Sequence, residues 1–241
     1  LRLRGYRIDE LMGRVTFGQA VYLALKGELP SPEVGRLMDA MLVSSIDHGA
    51  TPPSALATRT AASTGATLSA SIAAGVLSIN RYHGGAIEGC MRLLLEAIGR
   101  LDGGHPPAEV AAEMLAELKA QKKRAPGFGH RIHTDDPRTK RLLALAEELG
   151  VSGNGALMAR AFEEGLEERL GRHLPLNVDG TLAALLVDLG FPPELGNAFF
   201  IIARVTGLAA HAHEEMTRQR PMRRIHPTDH EYDGPAPRAL E

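Results

Sequence analysis

The chain of 241 residues is poor in cysteine, with Cys90 as its single example. One cysteine rules out an internal disulfide and fits a protein of a reducing compartment. The chain also lacks an excess of either charge, with a formal net charge of −2 at pH 7. Nucleic-acid-binding domains usually carry a basic excess, so we expect no nucleic-acid partner.

Long apolar runs are missing as well. The longest apolar region lies near residues 199–202, and Arg204 soon interrupts it. A membrane-spanning helix needs about 20 apolar residues. The chain does not open with a basic segment followed by an apolar one, as a secretory leader does. We therefore expect a soluble, cytoplasmic protein without a membrane partner.

Helical periodicity is abundant instead. Apolar residues make up 44% of the chain, and over most of its length they recur three and four positions apart, which predicts amphipathic helices. Proline and glycine mark the helix ends, for example Gly27 and Pro32. Only residues 1–6 alternate in a way that fits a short strand or an extended arm. The sequence predicts an all-α fold with a sizeable buried core.

Residues 54–79 are rich in Ala, Ser, Thr and Gly. Small side chains let helix backbones approach closely, so this segment predicts a tightly packed helix pair or a subunit interface. An ordinary alanine-rich core helix remains an alternative.

Residues 124–150 carry the most informative pattern. Gly127 and Gly129 flank Phe128 in a Pro-Gly-Phe-Gly turn, where glycine adopts backbone angles that other residues avoid. His130 leaves this turn, and a polar loop leads to a helix that opens at Pro137. Nearby cations (Lys122, Lys123, Arg124 and Arg138) suit an anionic substrate with a long polar tail. The alternative is a capped surface loop with a structural histidine.

Other chemically capable residues stand at predicted helix ends. His48 precedes a glycine and a proline pair, and His83 precedes a Gly-Gly pair at the start of a helix, whose free N–H groups attract oxygen ligands. Asp179 stands before an apolar helix, where an aspartate is most often a helix cap. Arg204 lies within an apolar pattern and needs a partner, commonly a carboxylate.

Taken in order, these stretches resemble the citrate synthase family. The matching motifs are LRLRGYRIDEL and VYLALKGELP near the start, DHG at His48, HGGAIE at His83, PGFGHRIHTDDPR at His130, NVDG at Asp179 and ARVTGLAAH at Arg204. The likeness covers essentially the whole chain, and PGFGHR…DPR followed by NVD is its most specific part. The chain looks shorter than ordinary citrate synthases. DHGATPPSALATR and NVDG are closer to the citryl-CoA lyase branch, including the lyase module of ATP-citrate lyases.

The resemblance implies a reaction that joins or splits acetyl-CoA and oxaloacetate through citryl-CoA. Asp179 is then the base that takes or returns the methyl proton of acetyl-CoA. His83 hydrogen-bonds the thioester oxygen, and His130 exchanges a proton with the oxygen of the four-carbon unit. Each such acid, base or oxyanion donor typically contributes ~10²–10⁴-fold to the rate.

The resemblance also implies binding residues for the carboxylates. His48, Arg138 and Arg204 would hold them, since fork-shaped guanidinium groups suit carboxylates. A cation of the C-terminal tail would reach the active site of a neighbouring subunit in a homodimer. We expect Arg224 in this role.

His226 stands where synthases tend to carry arginine before proline, and Arg220 and Arg223 remain open as the tail cation. Part of the CoA substrate would lie on Arg124 and the Gly127–Phe128–Gly129 turn. No metal and no tightly bound cofactor is expected. The implied architecture is a large helical domain of residues 1–83 and 191–241, with residues 84–190 as a smaller inserted helical domain.

One departure concerns the family motif HGGANE, which here has Ile87 in place of asparagine, so hydrogen bonding near His83 is expected to differ. Citryl-CoA lyase is our first hypothesis. A citrate or 2-methylcitrate synthase, which His83 keeps open, an enzyme for a substrate of related shape, and a non-catalytic CoA-binding homologue are the alternatives. A metal hydrolase using His211, His213 and Glu214 is disfavoured, because side chains two residues apart do not share a helix face.

Overall fold

The computed structural model describes residues 1–101, 103–129, 136–226 and 230–240. Two short antiparallel strands, Arg2–Leu3 (β1) and Tyr6–Arg7 (β2), form a hairpin. Helices follow it along the chain: Ile8–Leu11 (α1), Phe17–Lys26 (α2), Pro32–Ser44 (α3), Pro53–Ser63 (α4), Leu68–Leu77 (α5), Ala86–Leu101 (α6), Pro107–Ala120 (α7), Pro137–Glu148 (α8), Asn154–Leu170 (α9), Val178–Asp188 (α10) and Gly196–Arg218 (α11). The predicted all-α fold is confirmed.

Local sequence signals set many helix ends. Thr16 and Gln19 form a capping box at the start of α2, and Gly27 ends that helix with a φ of 93°. Ser31 caps α3, with Pro32 in its first turn. These side chains satisfy backbone N–H groups that a helix end leaves without partners. The early helices therefore follow from short-range turn chemistry.

The chain divides into two compact units. The first comprises Leu1–Ile46 and Asn80–Ala203, and the second Asp47–Ile79 and Arg204–Glu241. The large and small domains expected from the resemblance have different boundaries and remain a prediction.

In the first unit, α10 lies at the centre of the core. It packs against α6, α8 and α9, and every residue from Thr181 to Val187 is buried. Asp188, at the end of α10, accepts hydrogen bonds from the backbone N–H groups of Gly153, Gly155 and Ala156. One helix thus supplies the N-terminal cap of another, α9.

In the second unit, α4 and α5 pack closely against each other. A Cβ atom at Gly75 would lie 2.0 Å from Thr58 Oγ1 and 2.8 Å from Leu208 Cδ1, so only glycine fits there. Ser54 and Ser71 are also buried. The prediction of a tightly packed helix pair in residues 54–79 is confirmed.

One described segment, Pro193–Arg218, is long and apolar enough to span a membrane by length and composition. Within the protein, 44% of its most apolar window is buried. Buried core helices pass the same test of length and composition, so the segment is weak evidence of a membrane span.

Candidate active site

The Pro-Gly-Phe-Gly turn has the backbone geometry that its glycines predict. Gly127 and Gly129 have φ angles of 87° and 84°, in the region that favours glycine. A Cβ atom on Gly127 would also lie 2.7 Å from Gly180 Cα and 2.8 Å from Cys90 Sγ. The turn therefore lies directly against the first turn of α10, at a distance that side chains would prevent.

Hydrogen bonds join this turn to the segment that precedes α10. The N–H of Gly129 donates to the carbonyl of Pro175 at 2.7 Å, and the N–H of Asn177 donates to the carbonyl of Gly127 at 3.0 Å. The side-chain Nδ2 of Asn177 donates to the carbonyl of Gly129 at 2.8 Å. The two segments thus form a short antiparallel bridge next to Asp179.

Asp179 lies in the first turn of α10, behind the N-cap residue Asn177. Asn177 therefore caps α10, whereas an aspartate at the position of Asp179 in the sequence is most often the cap itself. A carboxylate in a first helical turn is favoured by the helix dipole. Asp179 is partly exposed.

Cys90 lies fully buried beneath the same turn. Burial and, to a smaller extent, the nearby charge of Asp179 together raise the pKa of the thiol to about 12. The thiol is therefore neutral at physiological pH and acts as a packing group, since reactive cysteines need a stabilised thiolate.

Arg138 lies at the start of α8 and pairs with Asp136, which also caps this helix. The Nε and Nη2 of Arg138 donate to the two carboxylate oxygens at 3.0 and 2.8 Å. Its Nη1 donates to the carbonyl of Ser44 at 3.3 Å. A guanidinium has five N–H donors, and contacts with the described residues use three of them, which leaves two that could bind an anionic ligand.

His83 lies in a tight turn in which Asn80 and His83 exchange backbone hydrogen bonds, just before α6. The His83 ring is half-buried and contacts Phe200 edge-on, with ring centroids 5.7 Å apart. Ile87 is completely buried. A Cβ atom at Gly196 would lie 3.0 Å from its Cγ2. Ile87 therefore packs closely against the start of α11, where no polar atom of its side chain is available.

In the second unit, His48 is exposed in the loop that follows α3. Its neighbour Asp47 pairs with His211, with 2.9 Å between Oδ1 and Nε2. Burial acts to raise the pKa of Asp47, but the hydrogen bonds from His211 and from the Gly49 N–H outweigh it and lower the pKa to about 2. Arg204 is buried in α11, with 3% of its surface exposed.

The C-terminal tail is attached to the second unit by a buried carboxylate. Glu215 accepts hydrogen bonds from Nε and Nη2 of Arg223, both at 2.6 Å, and its Oε2 lies 3.5 Å from Nε of Arg59. The N–H of Met222 donates to the carbonyl of Ser63 at 2.9 Å. Arg224 is exposed. Arg223 is thus held within its own chain, while Arg224 is accessible.

His130 lies outside the described residues. Among the residues that the structure describes, no group of His, Cys, Asp and Glu could hold a metal ion. The hydrogen bond of His211 to Asp47 gives that histidine a role without a metal.

The sequence reading gave no role to Asn177, Asp136 and Glu215. The signal for Asn177 was present, because asparagine is a favoured N-cap before an apolar helix. Asp136 stands directly before Pro137, another cap signal. Glu215 gave no local signal, since its partners Arg59 and Arg223 lie outside the helical spacing of three or four residues and only packing joins the three side chains.

Known proteins resemble this chain in both sequence and fold. A model described as "Citrate synthase, C-terminal domain" matches residues 30–227. The structure of citryl-CoA lyase from Hydrogenobacter thermophilus is 44% identical and superposes with a TM-score of 0.84, covering 99% of this chain and 91% of that one.

Citrate synthases also resemble this chain, but the likeness covers a smaller share of their own length. Citrate/2-methylcitrate synthase of Bacillus subtilis is 33% identical over 203 residues, which are 81% of this chain and 51% of that protein. The complex of citrate synthase from Thermoplasma acidophilum with carboxymethyl coenzyme A and oxaloacetate is 26% identical, with a TM-score of 0.70, and covers 93% of this chain and 58% of that one. The chain spans about half the length of such curated relatives, and only 36% of the glyoxysomal citrate synthase of Cucurbita maxima.

Proposed function

Because the chain belongs to the citrate synthase family, we propose that it is a citryl-CoA lyase, which splits citryl-CoA into acetyl-CoA and oxaloacetate. The observation that carries this proposal is the match to a citryl-CoA lyase in both identity and length, 44% over 99% of this chain and 91% of the other. The synthases match at lower identity and are about twice as long as the aligned part.

The proposed cleavage removes a proton from an oxygen and adds a different proton to a carbon, and exchange with water then returns His130 and Asp179 to their starting protonation states. His130 takes the hydroxyl proton of citryl-CoA, and the carbon–carbon bond breaks to give the carbonyl of oxaloacetate. The bond's electron pair passes to the thioester, where His83 donates a hydrogen bond to the enolate oxygen. Protonated Asp179 then delivers a proton to the carbon that becomes the methyl group. Electrostatic stabilisation of such an oxyanion is often the largest single contribution to the rate.

The surroundings of Asp179 support this role. Its position in the first turn of α10 places it next to the Gly127–Gly129 turn, which is the expected binding place for part of CoA. The buried thiol of Cys90 remains neutral beside it and offers no competing nucleophile.

Cations on the described surface support recognition of the acidic substrate. Lys122, Lys123 and Arg124 are exposed and lie just before the Gly127–Gly129 turn. We assign Arg124 and the turn to CoA. Arg138, with two N–H groups to spare, joins His48 and Arg204 in holding the carboxylates of the four-carbon unit.

We also propose a homodimer whose subunits share active sites through Arg224 of the tail. Helix α5 supports an interface, because it is apolar along its length but exposes Leu68 at 46% and Leu77 at 77%. A cytoplasmic location is proposed from the single, unpaired cysteine, and cell fractionation with an antibody tests it.

One assay tests the proposed reaction. The purified protein receives citryl-CoA, and oxaloacetate and free thiol are followed together. Oxaloacetate without free thiol supports the lyase, because CoA leaves as acetyl-CoA. Free thiol and citrate without oxaloacetate contradict it and support the synthase alternative, which the identity to the Bacillus subtilis enzyme and the retained His83 favour. Binding of CoA without any turnover supports the non-catalytic alternative.

A further inference from the structure

Asn177 makes two side-chain hydrogen bonds to two different segments. Its Oδ1 accepts from the N–H of Gly180 at 3.0 Å and so caps α10. Its Nδ2 donates to the carbonyl of Gly129 at 2.8 Å. We infer that Asn177 is a positioning residue, which aligns the carboxylate of Asp179 on α10 with the Gly127–Gly129 turn. This inference rests on the proposed function of both elements.

The orientation of the Asn177 amide follows from its partners. One partner is an N–H group and the other a carbonyl, so the amide satisfies both only with its oxygen towards Gly180 and its nitrogen towards Gly129. No side chain with a single polar atom reproduces both bonds. A serine retains a cap acceptor, but it is too short to donate to the Gly129 carbonyl as well.

Backbone contacts explain why this additional bond affects position more than folding. The N–H groups of Gly129 and Asn177 already join the turn to residues 175–177. A Cβ atom at Gly180 would lie 2.3 Å from the carbonyl oxygen of Gly127, so the two backbones touch. The turn therefore stays attached when the side-chain bond is lost, but its last peptide group loses its fixed distance to the first turn of α10.

That distance matters for proton transfer to a bound thioester. If CoA lies on the turn, its acyl carbon is placed by the turn, while the proton comes from α10. A misplacement of about 1 Å can cost ~10²-fold in rate. Loss of the Asn177 bond to Gly129 should therefore lower kcat more than it weakens substrate binding.

Two substitutions separate the bond from the cap. Asn177→Ser retains an acceptor for the Gly180 N–H and removes the donor to Gly129, whereas Asn177→Ala removes both. Ser31→Ala is the matched control, because Ser31 caps α3 by accepting from the N–H of Val34, a bond that stays within the start of that helix. For all variants, kcat and KM for citryl-CoA and the melting temperature are measured.

We expect both Asn177 variants to lose about 10- to 100-fold in kcat with a far smaller change in KM, as positioning losses do. Asn177→Ser should melt close to the wild type, whereas Asn177→Ala and Ser31→Ala should melt lower by similar amounts. Asn177→Ser would then keep the cap and a melting temperature close to that of the wild type but still lose kcat. A purely structural role of Asn177 does not explain such a result.

Two results overturn the inference while the proposed function stands. One is a wild-type kcat in Asn177→Ser, and the other is a loss of kcat in Ser31→Ala as large as that in Asn177→Ala. A wild-type protein that releases no oxaloacetate from citryl-CoA contradicts the proposed function itself, and the positioning role with it.

Discussion

The carbonyl oxygen of Gly127 lies where the side chain of residue 180 would begin, since a Cβ atom on Gly180 would be 2.3 Å from it. Two glycines from distant parts of the chain thus allow the turn and α10 to touch through their backbones. Gly127 needs glycine for a second reason, its φ of 87°. The candidate site is built on this contact.

Gly180→Ala should therefore displace the turn and destabilise the protein by about 1–3 kcal/mol, as overpacking does. Urea unfolding measures the change, and citryl-CoA turnover should fall with it. Gly99→Ala is the matched control, because Gly99 is helical and a Cβ atom there meets nothing within 4 Å. That control should be stabilised by up to about 1 kcal/mol from helix propensity. Equal stability of Gly180→Ala and the wild type would contradict the close contact.

Asp179→Asn should lower kcat by ~10²–10⁴-fold, because the amide neither takes nor returns a proton. Affinity for CoA, measured by calorimetry, should change little. Asp9→Asn, the same substitution at an exposed position of α1, should retain full turnover. Undiminished turnover by Asp179→Asn would remove this residue from the proposed mechanism.

Glu215→Ala should cost about 3–5 kcal/mol in unfolding free energy, because it leaves the Arg59 and Arg223 guanidinium groups without their buried carboxylate. Equilibrium urea unfolding measures this loss. Glu148→Ala breaks the exposed pair with Arg141 and should cost no more than about 1 kcal/mol. Similar losses in the two variants would show that the buried cluster does not stabilise the tail attachment.

Asp47 should make stability depend on pH in the acid range. Its pKa in the folded protein is lowered to about 2, below the value of about 3.9 for an unfolded chain. The stability it contributes is therefore fully present above about pH 4 and is lost as pH falls towards 2.

Asp47→Asn tests this dependence. The difference in unfolding free energy between the wild type and Asp47→Asn should be largest near pH 6 and should shrink at pH 3, because other carboxylates contribute equally to both proteins. A difference that stays constant over this range would contradict the role of the Asp47–His211 pair.

Sharing of active sites between subunits can be tested by mixing two inactive variants, Asp179→Asn and Arg224→Ala. If the tail crosses to the partner, half of the randomly mixed dimers contain one intact site, so about a quarter of the wild-type activity should return. The unmixed variants are the controls. No recovery despite exchange of subunits, or a fully active monomer in light scattering, would contradict the proposed arrangement.

Short-range chemistry made much of this protein predictable from its sequence. Helical periodicity indicated the all-α fold, and the cap residues Thr16 and Ser31 and the glycine at position 27 fell where helices begin and end. The glycines of the Pro-Gly-Phe-Gly turn predicted its backbone angles. These features depend on residues within a few positions of one another, so a linear sequence displays them directly.

Only the tertiary structure decided which distant groups meet. It assigned the cap of α10 to Asn177 and joined that side chain to Gly129, 48 positions away. It likewise brought Asp188 to the start of α9 and committed Arg223 to Glu215, which leaves Arg224 as the accessible neighbour. Such pairings depend on how helices pack, and packing is set by the whole core rather than by local spacing. The sequence therefore determined which chemical groups are present, and the fold determined which of them act together.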